Sequence, residues 1–228
     1  MGHVNPEVNK RSYATAGRKA KSVETRQRVV DAARLLILTC GYRETTVAAI
    51  AADADVSIDT VYELVGRKPV LLKELIEQAI SGTDRAVTAV ERDYVKAMRA
   101  EPDSATMLKI YAGAMREIQP RLAPLFLAAR DASSTDSEAL DVWKQINERR
   151  AQNMRRLAGD LRARGGLRAG LSTNDVADVI WAMNSPELYV MLTGVRGWSA
   201  RRFERWLADS LCRLLLSSDV SEGATAQA

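Results

Sequence analysis

The chain has 228 residues, of which 46% are hydrophobic, 27% charged and only 5% aromatic, with a formal charge of +4. That balance suits one or two folded domains with a real core, and the recurrence of Ala, Leu and Arg favours helix over strand. A single histidine, His3, and two distant cysteines, Cys40 and Cys212, leave no material for histidine-assisted catalysis, a histidine zinc site or a disulfide framework. The two cysteines read as buried thiols on apolar helix faces. No nucleotide-binding glycine loop, membrane-length apolar run or signal peptide is evident, so a cytoplasmic protein is expected, with no metal, cofactor or membrane partner.

Residues 1–21 lack apolar periodicity and read as a disordered basic arm. Residues 1–28 hold seven lysines and arginines against two glutamates, so the excess positive charge sits at this end. Such an arm suggests a polyanion partner, although basic ends also serve solubility. A first helix is expected from Ser22 or Thr25, with Val29, Ala33, Leu36, Ile37 and Cys40 on one stripe and Gly41 ending it. Thr45 and Thr46 offer N-caps to a second helix carrying Val47, Ile50, Ala51 and Ala54 inward.

The break Asp53-Ala54-Asp55 is followed by Ser57, which caps a third helix of barely two turns. Val56 and Val61 are spaced to form a staple across its start. Val61, Leu64 and Val65 face inward, leaving Ile58, Asp59, Thr60, Tyr62 and Glu63 outward or marginal. Gly66 stops it, and Pro69 opens the fourth. So short a helix is poor at holding itself together. Its use is to present a surface, and three short helices with this tight turn make a helix-turn-helix unit suited to a DNA groove.

The rest reads as helix. A long fourth helix is expected from Pro69 towards Arg99, a fifth from Ser104, and a sixth after Gln119-Pro120. A seventh is expected behind a capping box Thr135–Glu138, ending at Gly165-Gly166. Ser172 caps an eighth and Ser199 a ninth, and residues 217–228 form a frayed tail.

On residues 25–75 the sequence resembles the TetR family of one-component bacterial regulators. The resemblance is carried by Gly41-Tyr42, Thr45-Thr46-Val47, Ile50-Ala51, Val56-Ser57, Thr60-Val61-Tyr62, Lys68 and Leu71-Leu72. These spacings are specific as a set. Residues 100–228 match by architecture only. The resemblance implies an all-α chain of about nine helices: a three-helix helix-turn-helix domain over 22–68, then a helical ligand-binding and dimerisation domain over 69–216. It also implies a homodimer reading a palindromic double-stranded operator. Thr46, Thr60, Tyr62 and Lys68 fall at phosphate-contacting positions, and Ser57, Ile58 and Asp59 complete the expected DNA-binding set. Asp55 replaces a usual glycine in the turn, which aspartate can tolerate. Asp59 replaces a common glycine on the third helix, where it either reads a cytosine amino group or favours the helix dipole.

The ninth helix carries Phe203, Trp206, Leu207, Ser210, Leu211, Leu214 and Leu215 on one stripe. With the eighth helix and the two-fold copies of both, it is expected to form a four-helix dimer interface; burial inside one subunit is the alternative. On the eighth helix, Asn184 and Glu187 continue the apolar face of Val176, Val179, Ile180 and Met183, with Pro186 kinking the helix between them. They face a ligand pocket, pair with an arginine, or, for Glu187, turn to water. Tyr94, Met98, Tyr111, Met115, Phe126, Trp143 and Met154 lie where the family's effector cavity would be. From these, Tyr111, Met115, Trp143, Asn184 and Glu187 are the expected ligand-binding residues.

The expected function is a ligand-responsive transcriptional regulator, a repressor released by a small apolar molecule. The alternative is a DNA-binding regulator governed by a protein partner or by no small molecule. An enzyme would need a nucleophile, a base and an orienting group. The polar clusters Glu148-Arg149-Arg150 and Asn184/Glu187 do not supply them.

Overall fold

The computed structural model describes residues 6–83 and 87–217, with side chains from residue 21 onwards. The described residues are all-α, with only one isolated bridge, between Leu167 and Leu216. The chain divides into two compact units, Met1–Leu75 and Ile76–Ala228. The boundary therefore falls inside the fourth helix rather than at residue 68.

In the first unit, α1 runs Pro6–Cys40. It starts well before Ser22, so the helical part of the supposed disordered arm is a correction. Ala14, Ala16, Lys19 and Ala20 are good helix formers, and a helix needs no apolar stripe to propagate once it is nucleated. The expectations for residues 1–5 and 218–228 lie outside the described residues. Val29, Val30, Ala33 and Ile37 are buried on α1. Cys40 is exposed on its last turn, contrary to expectation, while Cys212 is buried.

Two short helices follow, α2 (Val47–Asp53) and α3 (Ile58–Val65). Between them Asp55 adopts φ 53°. The Asp55 amide donates to the Ala52 carbonyl and the Val56 amide to that of Ala51. These are the paired bonds of a Schellman ending, with aspartate where glycine is usual. Ile50, Ala51, Ala54, Val61 and Val65 close the small core.

The helix α4 runs Lys68–Ser81 and does not continue to Arg99. Gly82, at φ 72°, ends it, and a 3-10 turn at Ala89–Glu91 precedes α5 (Asp93–Ala100). In the opposite direction, the fifth and sixth expected helices are one, α6 (Ser104–Ser133), with Pro120 and Pro124 inside it. A proline costs a helix one donor and some strain. Here fifteen buried residues along α6 outweigh that. The helix α7 (Ser137–Arg164) is capped by Asp136, which accepts from the Ala139 amide. The expected Thr135–Glu138 box does not form.

The eighth expected helix is two pieces rather than one kinked rod. The first, α8 (Thr173–Met183), carries the expected cap at Ser172, reinforced by Asp175. Ser185 then caps α9 (Pro186–Val190), which passes into a π-helical turn at Met191–Val195. Last comes α10 (Ala200–Leu215), capped by Ser199. Ten α-helical segments thus stand among the described residues, where about nine were expected. In the second unit α6 is central, packed by α5, α7, α9 and α10, while α8 packs on α7 and α10.

The α10 stripe is a further correction. Phe203, Leu207, Leu211 and Leu215 are fully buried within the chain itself. Only Leu214 of that stripe is substantially exposed, at 47%.

Candidate nucleic-acid interface and ligand cavity

In the first unit the Ser57 hydroxyl accepts from the Thr60 amide at 3.1 Å and pairs with the Thr60 hydroxyl at 2.8 Å. This fixes how the chain enters α3. Ile58, Asp59, Tyr62 and Glu63 are left exposed on that helix, and Thr60 half-buried. Thr46 caps α2 by accepting from the Ala49 amide, which leaves its hydroxyl able to donate to another group. Ser57, Ile58, Asp59, Thr60 and Tyr62 are therefore gathered on one two-turn helix.

Lys68 is placed differently from a free phosphate contact. Its ammonium donates to the Tyr42 and Thr45 carbonyls, both at 2.9 Å, and lies 4.1 Å from the centre of the Tyr42 ring. It ties the loop between α1 and α2 to the start of α4. Arg26 ties α1 to α3 and α4, donating to the Leu64 carbonyl and pairing with Glu74.

The second unit holds a half-open cavity of about 100 Å3. Residues from α5, α6 and α7 form most of its wall, with Asn184 at one end. Among the expected ligand residues, Tyr111, Met115 and Asn184 line it, as do Tyr94, Met98 and Met154. Trp143 and Glu187 do not. Trp143 lies earlier on α7, where it is half-buried. Glu187 sits in the first turn of α9, because the chain restarts as a new helix at Pro186 instead of continuing the α8 face.

That restart explains Asn184. Pro186 has no N–H to continue α8, so the helix ends with Asn184 as its C-cap. The side chain of Asn184 is then free to turn inward. Its amide donates to the Tyr111 hydroxyl at 2.6 Å, and that hydroxyl donates to the Met154 sulfur at 3.3 Å. Gln119 Nε2 donates to both the Asn184 side-chain oxygen, at 2.8 Å, and its carbonyl, at 3.0 Å. Burial pushes the Tyr111 phenol above its ordinary range, so it remains a neutral hydrogen-bonding group.

Two residues of this wall carry chemistry that the sequence reading did not assign to a pocket. Gln119 is 1% exposed, and its Oε1 has no hydrogen-bond partner. Arg150 stacks near the rings of Phe126 and Trp181, with Nη2 donating to the Trp181 and Asn184 carbonyls. Desolvation draws its pKa down, against the pull of Tyr111 and Glu187, yet an arginine stays charged. Both residues left a signal in the sequence. Arg150 continues the inward run Val142, Ile146 at spacing four, and Gln119 continues Tyr111, Met115 in the same way.

The polar residues Glu148, Arg149 and Arg150 take separate partners. Arg149 pairs with Glu77, Arg150 turns to the cavity, and Glu148 is exposed beside Arg155. Among the described residues no group of three or more His, Cys, Asp or Glu could hold a metal ion, and no helix is long and apolar enough to cross a membrane.

No protein-family model matches the chain, and no curated protein does. Solved structures do. A transcriptional regulator from Saccharomonospora viridis in complex with choline is 19% identical, with a TM-score of 0.65, over 85% of this chain and 98% of that one. A TetR-family regulator from Syntrophomonas wolfei is 17% identical, with a TM-score of 0.67, over 84% of this chain and 94% of that one. SmeT in complex with triclosan is 19% identical, with a TM-score of 0.61, over 86% and 94%. With its helix-turn-helix unit and its all-helical second unit, the chain has the fold of the TetR-family transcriptional regulators.

Proposed function

We propose that this chain is a ligand-responsive, DNA-binding transcriptional regulator without catalytic activity, acting as a homodimeric repressor on a palindromic operator. One observation carries the reading: a helix-turn-helix unit with an exposed, Ser57-capped α3 shares a chain with a unit that holds a cavity. The fold likeness supports it, since the regulator from Saccharomonospora viridis holds choline and SmeT holds triclosan. In this reading α3 enters the major groove. Thr46, Thr60 and Tyr62 donate hydroxyl protons to phosphates, which position the protein without reading sequence. Ile58 and Asp59 face base edges. Lys68 contributes by holding the loop that carries Thr46.

The small molecule sits among Tyr111, Met115 and Asn184 and lowers operator affinity by binding the DNA-free conformation more tightly. A coupling of about 2–3 kcal/mol would lower it roughly thirty- to a hundredfold. Trp181 and Leu214, exposed apolar side chains on α8 and α10, belong to the dimer contact.

The test is a gel-shift and footprint series on DNA flanking the chain's own gene. Protection of two half-sites about one helical turn apart is expected, with affinity falling steeply as salt rises. Tyr62→Phe should weaken binding by a similar factor on every operator variant. Binding that ignores salt, or protects no symmetric site, defeats the reading.

A further inference from the structure

The effector reading says that something binds, and the cavity wall says what kind of molecule. Arg150 is the informative residue. Its Nη2 is committed to two carbonyls at the end of α8. Its Nε and Nη1 groups have no protein acceptor among the described residues, and they are not sealed off as buried unsatisfied atoms either. Arg150 itself lines the cavity. Among the described residues no carboxylate comes within salt-bridge distance of this guanidinium, and Glu187 acts on it only as a more distant charge. By contrast, Arg99 on the same wall is paired with Asp160. A largely desolvated cation that lacks a counter-ion favours an occupant that brings one.

Gln119 is the second, independent observation. Its Oε1 is buried and accepts from nothing. Flipping the amide would not help, because the oxygen would then face the two Asn184 oxygens that Nε2 now serves. Such an acceptor calls for an O–H or N–H from whatever fills the space beside it. Gln119 and Arg150 both donate to the same Asn184 carbonyl, at 3.0 and 3.1 Å, so their ends lie side by side. A negative oxygen for one and a donor for the other must then be close together on the ligand.

The geometry points to an amphipathic hydroxy acid as the effector of this cavity: its carboxylate on Arg150, a neighbouring hydroxyl on Gln119 Oε1, and its apolar body among Met98, Met115, Ile118 and Leu157. Arg92 and Arg156, also on the wall, add positive potential that draws such an anion in.

The inference rests on the reading of the chain as a ligand-responsive regulator, and calorimetry on the full chain tests it apart from DNA. The probes are 3-hydroxydecanoate, decanoate, decan-1-ol and decylammonium. Decanoate should bind at least tenfold more tightly than the alcohol, 3-hydroxydecanoate more tightly still, and decylammonium weakest. Arg150→Gln should reduce decanoate affinity tenfold to a hundredfold, the ratio a charge-assisted hydrogen bond supports, while changing that of the alcohol less than about threefold. Because Arg150 also ends α8, Arg150→Lys serves as the fold-preserving variant, and it should keep the preference for acid over alcohol. Equal affinity for acid, alcohol and amine, or no binding of the acids, overturns the inference. Equal binding of the two acids removes Gln119 from it. If an alcohol or amine releases the operator and the acids do not, the regulator reading stands and this inference falls. If no operator is bound at all, the regulator reading falls, and the calorimetric preference alone decides whether the cavity takes acids.

Discussion

Asp55 and Lys68 show how single side chains hold the helix-turn-helix unit. Asp55 occupies a left-handed conformation, which aspartate tolerates at some cost and glycine at none. Asp55→Gly should stabilise the chain by about 0.5–1 kcal/mol. Asp55→Val, branched at Cβ, should destabilise it by about 1–2 kcal/mol. Urea denaturation of the three chains checks this, and coincident midpoints would show that the turn carries no such cost. Lys68→Met keeps the stem over Tyr42 but removes the donors to two carbonyls. A stability loss of about 1–2 kcal/mol is expected. Thermal melts measured beside operator affinity separate that structural loss from a phosphate contact. The strain at Asp55 was legible in the sequence, because it depends on the local break after α2. The role of Lys68 was not. Its partners lie on the loop at Tyr42–Thr45, and only the folded path brings that loop to the head of α4.

Helices behave in the same way: their faces were readable, but what covers them was not. The stripe on α10 fits an amphipathic helix, yet nothing in its spacing distinguishes a partner subunit from α6 of the same chain. The buried positions decide. Leu211→Lys puts a charge into a fully buried site and should unfold the second unit rather than simply separate subunits. Leu214→Lys, at a 47% exposed position, should leave the melting curve nearly unchanged and yield monomers by light scattering. A folded dimer of the Leu214 variant would put the contact elsewhere. Helix boundaries were hardest to read where proline is involved. At Pro186 the chain does break, with Asn184 closing α8 and Ser185 capping α9. Pro120 and Pro124 are carried through α6 by the buried residues on either side. Proline states a local cost, and the surrounding core decides whether that cost is met.

At the scale of the molecule, α4 is the element common to both units, and each half is tied to its own. Within the first unit, Lys68 and Glu74 are held by the α1–α2 loop and by Arg26. Within the second, Glu77 pairs with Arg149, and Arg121 donates to the Ala79 carbonyl at 3.1 Å. Glu77 is only 8% exposed, so Arg149→Ala leaves a buried carboxylate without its cation. A loss of about 1–3 kcal/mol is expected, below the full cost of a deeply buried pair because Arg149 itself is partly exposed. Adding Glu77→Gln should recover part of it, and a thermal double-mutant cycle tests that. If both single variants melt with the wild type, the pair does not secure this end of α4.

The two prolines of α6 have a consequence for how the cavity wall moves. Pro120 and Pro124 bring no amide proton, so the Arg116 and Pro120 carbonyls lose their bonds within the helix. Those gaps lie in the stretch that supplies Ile118, Gln119 and Leu122 to the cavity. A helix opens first where its ladder has missing rungs, while α7 across the cavity has no proline to interrupt it. Amide protons of residues 117–123 should therefore trade with deuterium well before those of Leu157–Leu161, at a rate set by local breathing rather than global unfolding. An occupant bonded to Gln119 would hold that stretch shut and slow its exchange most. The wall would thus yield to an entering molecule and then stiffen around it, and uniform exchange along α6 and α7 would show a rigid enclosure instead.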